Sequence, residues 1–493
     1  MADIKRLISL GSLYSLGSIA QSAIGFFLLP VYSLFLKPAD FGVISLISIS
    51  VSLITILIDS PVTIALNRYF YHSSYQEDRP KFVFTLFLFS LFQALSFSFL
   101  FYLLSKPLCM LIFGDTVWLN LLHIYSILIF LTPVANFFQA LLRIGEKAVY
   151  YIIVNVTSAL LVFTLVVYLL KHDYGVYSIA AGAIFNAIFV VTTVSFFFVS
   201  VIKPGFSLQL LKKPLTFSYP FLLADYSQIL FDSGDRYLLK LFVSVKEIGI
   251  YDIGYRLAGM YNVVLGAPIG QSISPLIMKE EGNPDKIRFF LKKYTTYYYL
   301  IGMFVALAVS LFAKELVAIV MVNNQDFVES WKIIPLVLFG NVLHGLGYFI
   351  GWGIILKEKS WTSSIIMIVA LVANILFNLL LIPIFGLNGA ALATLLSYIV
   401  WSVLKMYYSA RYYQLYFQIK KMIIITIVSI LLYSIGISFA SSDSIIANSI
   451  LKIIICSIYV ALFWYSSFFN KDEKSVFKNL GKIIFNRFKS SIK

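Results

Sequence analysis

"FLKPADFGVI" at residues 35–44 returns as "FVSVKEIGIY" at residues 242–251, so Asp40-Phe41-Gly42 stands 207 positions before Glu247-Ile248-Gly249. The same offset carries Pro61 of "DSPVT" onto Pro268 of "GAPIG". Farther on, Glu146-Lys147 matches Glu358-Lys359, and "YGVYSIAAGA" (174–183) matches "FGLNGAALAT" (385–394), at offsets of 212 and 211. Each match alone is weak. Four in the same order at nearly one offset imply a duplicated chain.

What is duplicated follows from composition. The 493 residues are 60% hydrophobic and only 12% charged, about half the charge of a soluble domain. Apolar runs of about 20 residues, each long enough for a helix to cross a bilayer, recur throughout. The alternating ten-residue segments of a membrane barrel are not evident. The reading is an all-α polytopic membrane protein of fourteen spans, at 8–36, 40–66, 81–104, 117–142, 150–170, 176–200, 216–240, 248–276, 294–321, 331–356, 361–383, 388–408, 422–440 and 445–467. With the repeat, these become two six-helix bundles in one orientation (1–200 and 201–410), an extra helix pair (411–470) and a basic tail (471–493). Parallel repeats of this kind enclose a substrate path at their interface and rock against each other.

Basic residues orient the spans. Of 38 lysines and arginines, 28 fall in the N-terminus, the alternate loops and the tail, and seven in the opposite loops; Arg236, Arg256 and Lys452 lie inside spans. The positive-inside rule then puts both termini in the cytoplasm. This bias also accounts for the net charge of +15, so nucleic acid is not needed as a partner. Lys5 and Arg6 precede an apolar stretch without a small-residue cleavage signature, which predicts an uncleaved first helix. The tail places Phe477, Leu480, Ile484 and Phe488 on one helical face among lysines. That pattern suits a helix on an anionic inner leaflet, and a disordered basic tail fits it equally. Cys109 and Cys456 lie far apart and read as apolar fillers, with no disulfide framework or metal cluster.

"FDSGDRYLLKLF" at 231–242 sets Asp232, Asp235 and Arg236 inside this apolar chain. Charges there are costly unless they are paired or face a wet cavity. On a straight helix Asp225, Asp232 and Arg236 fall within roughly 40° of one another, with Gln228 at the margin, while Asp235 points away toward the outer interface. The next span repeats the arrangement, with Asp252 and Arg256 four residues apart and Gly259, Gly266 and Gly270 continuing their face. One reading makes Asp232–Arg236 and Asp252–Arg256 self-neutralising pairs. The other has both stripes lining a central cavity for an anionic head group, whose pyrophosphate the arginine forks would bind while the aspartates hold the forks or a coupling cation. Asp59, before Pro61, is a cation site or the cap of a kink. Arg68 and Arg143, at cytoplasmic helix ends, are topology determinants and candidates for the entrance. Asn374 with Asn378, Asn341 with His344, Asn155 and Asn186 read as interhelical glue, and Lys452 as a snorkelling side chain.

Three stretches carry a family resemblance: "FLLPVYSLFLKPADFGVISLISI" (27–49), "RIGEKAVYYIIVN" (143–155) and "DSGDRYLLKLFVSVKEIGIYDIGYRLAGM" (232–260). Together they resemble the signatures of the polysaccharide biosynthesis (O-antigen type) flippases, over essentially the whole chain. The resemblance implies the fold of the multidrug/oligosaccharidyl-lipid/polysaccharide exporter superfamily, seated in a bacterial inner membrane. It also implies transfer of polyprenyl-pyrophosphate-linked oligosaccharides to the outer leaflet by alternating access, for O-antigen and lipopolysaccharide assembly. Glycan assembly proteins are the implied partners. No cofactor is expected; coupling to a proton, to sodium or to neither is left open.

Two other functions compete. A multidrug–cation antiporter of the same superfamily would favour an acidic cavity, whereas these acids come with arginines, and the first span has no acid between Asp3 and Asp40. An embedded glycan polymerase or glycosyltransferase would need a sizeable loop with catalytic carboxylates or histidines, and the four histidines are scattered. No phosphate-binding G-x-x-x-x-G-K-[ST] loop occurs, so the chain itself is not expected to hydrolyse ATP. A transporter rather than an enzyme is the expectation.

Overall fold

A computed structural model describes residues 25–198, 204–266, 282–322, 324–439 and 445–466, with a few isolated positions between and beyond them. Every expected span is helical where it is described. The elements are α1 (Gly25–Phe35), α2 (Pro38–Tyr69), α3 (Arg79–Phe113), α4 (Leu119–Ile144), α5 (Ala148–Lys171) and α6 (Tyr177–Phe198). There follow α7 in three pieces (Gln209–Ser218, Phe221–Ser233, Asp235–Lys240), α8 (Val245–Tyr261), α9 (Pro284–Leu311) and α10 (Ile334–Ile350, continued by Trp352–Leu356). The 54-residue helix Ser360–Tyr413 is two spans, α11 and α12, because Gly386 breaks it with φ 56° and ψ −130°. Last come α13 (Ile419–Phe439) and α14 (Ile445–Tyr465). Ten of the described helices are long and apolar enough to cross a membrane. The first part of the expected 8–36 span and the tail 471–493 lie outside the described residues, as does much of 267–281.

The duplication shows in the backbone. Asp40 accepts the Lys37 N–H at 2.8 Å at the start of α2, and Glu247 accepts the Ser244 N–H at 2.9 Å at the start of α8, each an acidic cap on its helix. Glu146 and Glu358 both take positive φ, 55° and 53°, which is uncommon outside glycine. Gly175 and Gly386 follow suit at 51° and 56°. Three of the four sequence matches are therefore matched helix starts or turns, while Pro61 lies inside α2.

The two halves meet on α2 and α8, and the contact obeys the same offset. A Cβ on Gly42 would stand 2.0 Å from the Val245 carbonyl oxygen, and one on Gly249 would stand 1.7 Å from that of Pro38. Pro38 and Val245 are themselves repeat mates, so each half offers the other the same surface, as across a two-fold axis. Only glycine permits this approach at the two positions. Between them Ser45 donates to its own repeat mate, Asp252, at 3.0 Å. The pseudo-axis runs between these side chains. The pair α13–α14 packs on α9 of the second half, where the Tyr459 hydroxyl donates to the Leu300 carbonyl at 3.0 Å.

Two expectations are corrected. The 216–240 span is not one straight helix: Pro220 cannot donate to the helix ladder, and a tight turn at Gly234 separates the last six residues. Lys452 does not snorkel. It is buried, ion-paired to Glu315 and set against the Phe312 ring, tying α14 to the short helix Ala313–Val320.

Candidate functional site

Gly234, with φ −65° and ψ −21°, separates the last piece of α7 from the one before it. Asp235, expected at the outer interface, is instead buried at 1% exposure. It accepts from Arg236 Nη1 at 2.7 Å and from the Tyr251 hydroxyl of α8 at 2.5 Å. Arg236 Nη2 reaches Asp252 at 3.5 Å, and Nη1 also donates to the Asp232 carbonyl at 2.9 Å. The rings of Tyr251 and Tyr255 stack on the guanidinium at 5.3 and 4.1 Å. Asp232 and Arg236 are thus not the self-neutralising pair that helical spacing predicts. Arg236 joins α7 to α8 through Asp235 and Asp252, enclosed on every side.

Arg256 differs. Its Nε donates to Asp252 at 2.5 Å, yet its side chain is 42% exposed against 5% for Arg236. The pair within α8 forms as expected, through Nε of a side chain that stays partly exposed. Tyr32 and Tyr125 of the first half are its electrostatic neighbours. One turn on, nothing lies within 4 Å of where a Cβ of Gly259 would stand. Gly266 and Gly270, by contrast, meet Asn262 and Tyr348. Asp252 is the node of the cluster, holding both arginines and Ser45. A buried carboxylate so placed fixes one arginine as a support and leaves the other as a presented cation.

The remaining acids are bonded to neutral groups. Asp232 accepts from Gln228 at 2.8 Å and from the Tyr398 hydroxyl of α12 at 3.2 Å, with the His344 ring 5.4 Å from that of Tyr398. Asp225 accepts from Ser60 of α2, and Asp59 from Asn136 of α4 at 2.6 Å. Arg68 is exposed and stacks on Phe217 at 4.5 Å; Arg143 is exposed at the C-terminal end of α4. The structure therefore brings Arg236, Asp252 and Arg256 together, and Gln228 with Asp232. It leaves Asp59 and Asp225 outside that cluster, both bonded around Asp59-Ser60 of α2, and Arg68 and Arg143 at helix ends. Tyr251, Tyr255, Tyr398 and Ser45 are added, and for Ser45 the repeat offset was a signal in the sequence. Among the described residues no group of His, Cys, Asp and Glu could hold a metal ion.

A wide apolar cavity of about 950 Å3 opens elsewhere, between α9, α10, α12 and α13, with Leu343, Leu395, Ile399 and Met422 in its walls and Arg411 at its foot.

Comparison with known proteins gives a family and a fold. The model of the polysaccharide biosynthesis protein family matches residues 32–328. The probable low-salt glycan biosynthesis flippase Agl15 of Haloferax volcanii is 21% identical over 348 residues, 70% of this chain and 71% of its own. Among solved structures, the lipid II flippase MurJ in an inward closed conformation superposes with a TM-score of 0.74 at 14% identity, covering 92% of this chain and 98% of its own. An inward-facing multidrug resistance MATE family transporter of the MOP superfamily gives 0.62 at 13% identity, over 83% and 98%.

Proposed function

We propose that this chain, which belongs to the polysaccharide biosynthesis protein family, is a flippase for polyprenyl-pyrophosphate-linked oligosaccharides. It moves them from the cytoplasmic to the outer leaflet by alternating access. The observation that carries the reading is Arg256, a cation held on a buried carboxylate at the seam of two pseudo-symmetric halves and 42% exposed. A diphosphate needs such a charge, because its oxygens accept two parallel N–H bonds from a guanidinium that stays charged. Arg236 supports it from behind by neutralising Asp235 and sharing Asp252. The apolar cavity of about 950 Å3 offers a place for the prenyl chain outside the polar seam. Asp59, Asp225 and Asp232, bonded to neutral groups, are where a coupling proton or sodium ion would exchange. The setting is a bacterial inner membrane with both termini cytoplasmic, serving surface glycans of the O-antigen kind.

A presented arginine repels a cationic drug, which sets this reading against the antiporter. The test is transfer of a fluorescent prenyl-diphosphate saccharide in proteoliposomes, read by a membrane-impermeant quencher. Wild type should equilibrate the two leaflets, and Arg256→Ala should not, with Arg256→Lys in between because charge remains and the fork is lost. Exchange of a cationic dye for protons, with no transfer of the saccharide, would replace this function by the antiporter.

A further inference from the structure

A second set of cations lies on the side that the charge bias makes cytoplasmic. The first piece of α7, Gln209–Ser218, is amphipathic: Leu211, Pro214 and Ser218 are buried on the side packed against α2 and α3. Gln209, Lys212, Lys213 and Thr216, at i, i+3, i+4 and i+7, make the opposite face. With Tyr69 at the end of α2 and Phe217, these four line a hollow of about 530 Å3. The Arg68 guanidinium stacks on the Phe217 ring at 4.5 Å, adding a third cation beside the hollow. Among the described residues, no carboxylate lines it.

The positive-inside rule accounts for lysines on this side. It does not require two of them to share one hollow with an amide, a hydroxyl and two aromatic rings. Ammonium, amide and hydroxyl donors over ring carbons suit the oxygens of a phosphate and the carbon atoms attached to it. We propose that this hollow is a second anion site, a subsite for the phosphate group of a lipid at the cytoplasmic face. It goes beyond the central reading, since it needs neither Arg256 nor a glycan. Two lipids carry the chemistry: an anionic phospholipid and a prenyl diphosphate.

Lysine acylation read residue by residue tests it on the full chain in nanodiscs, whose two faces are both open to reagent. In phosphatidylcholine discs, geranylgeranyl diphosphate should slow acylation of Lys212 and Lys213, about fourfold at three times its Kd, since the free fraction falls as 1 + [L]/Kd. Lys292 and Lys420, also exposed and cytoplasmic by the charge bias, are the internal controls. Geranylgeraniol, which lacks the phosphates, should protect nothing. Protection by phosphatidylglycerol as well assigns the hollow to phospholipid heads; protection by the diphosphate alone assigns it to the glycan carrier. Equal protection of Lys292 and Lys420, or none at Lys212 and Lys213, overturns the proposal. The footprint should survive Arg256→Ala. Its loss there would mean that the central site held the lipid, so failure of this subsite and failure of the central reading are distinguishable.

Discussion

The repeat supplies its own control for the buried charges. Subtracting 207 places Asp235 on Leu28, Arg236 on Leu29 and Tyr251 on Ile44. All six are buried, so the same architecture fills one position with an ion cluster and its mate with aliphatic side chains. Arg236→Leu alone strands Asp235 in the protein interior. Breaking a buried pair from one side costs about 3–5 kcal/mol. Adding Asp235→Leu removes the stranded charge and leaves the Tyr251 hydroxyl without its acceptor, at about 1–3 kcal/mol. Adding Tyr251→Phe removes that too, and the triple variant should lie near wild type, because replacing a buried ion cluster by apolar side chains of similar volume is often neutral. If each half of about 200 residues unfolds as one unit, 1 kcal/mol is about 2–4 °C of Tm. The series in detergent should therefore run from a fall of at least about 6 °C for the single to near recovery for the triple. A triple variant as unstable as the single would refute the mimicry of one half by the other. Arg256→Ala, at a half-exposed site, should lose transfer with a far smaller loss of Tm.

Three further outcomes follow from the geometry. Gly249→Ala would set a methyl group 1.7 Å from the Pro38 carbonyl, closer than any real contact, so α2 and α8 must part. In a cysteine-free background, a Ser45→Cys reporter should be protected from an impermeant maleimide and should become reactive once Gly249→Ala is added; equal labelling in both would refute a closed seam there. Leu241→Cys, at an exposed position between α7 and α8, should label from outside intact cells, and labelling only after lysis would invert the topology. Lys452→Met should destabilise more than Lys452→Met with Glu315→Gln, because the single variant leaves a partly buried carboxylate unpaired; additive effects in that cycle would deny the ion pair its role.

Spans and repeat were legible because each rests on a local signal. Hydropathy marks a helix that must cross lipid, and an acidic cap or a positive-φ turn needs particular residues at particular spacings. Asp235 was not legible. The 100° rule fixes a side chain's angle around its own helix, and only the packing of α8 against α7 brings the Tyr251 hydroxyl to Asp235 beside Arg236. Nor could spacing along α7 reveal Tyr398 as a partner of Asp232, since packing brings α12 across 166 residues to meet it. The Ser45–Asp252 bond was within reach. Two segments at one offset that must pack around an axis bring repeat mates together wherever the axis passes, and Ser45 and Asp252 are 207 apart.

That axis also constrains how charge is used. Ser45, Leu29 and Ile49 stand in the first half where Asp252, Arg236 and Arg256 stand in the second. Both arginines and the carboxylate that holds them therefore belong to one half of a two-fold fold. If the halves rock about the seam, the presented cation of Arg256 moves with the second half, and the first half slides past it carrying tyrosines and apolar side chains. A diphosphate bound to Arg256 would travel with one half rather than being handed between two charged walls. Symmetric charge would present equal anion sites on both walls, and leaving one would be no easier than leaving the other. Giving the first half a cation of its own should then slow release: Ile49→Arg puts an arginine at the repeat mate of Arg256 and leaves the Ser45–Asp252 bond in place. Tighter binding of the diphosphate lipid with slower transfer is the expected outcome. Faster transfer would show that the asymmetry has no part in turnover.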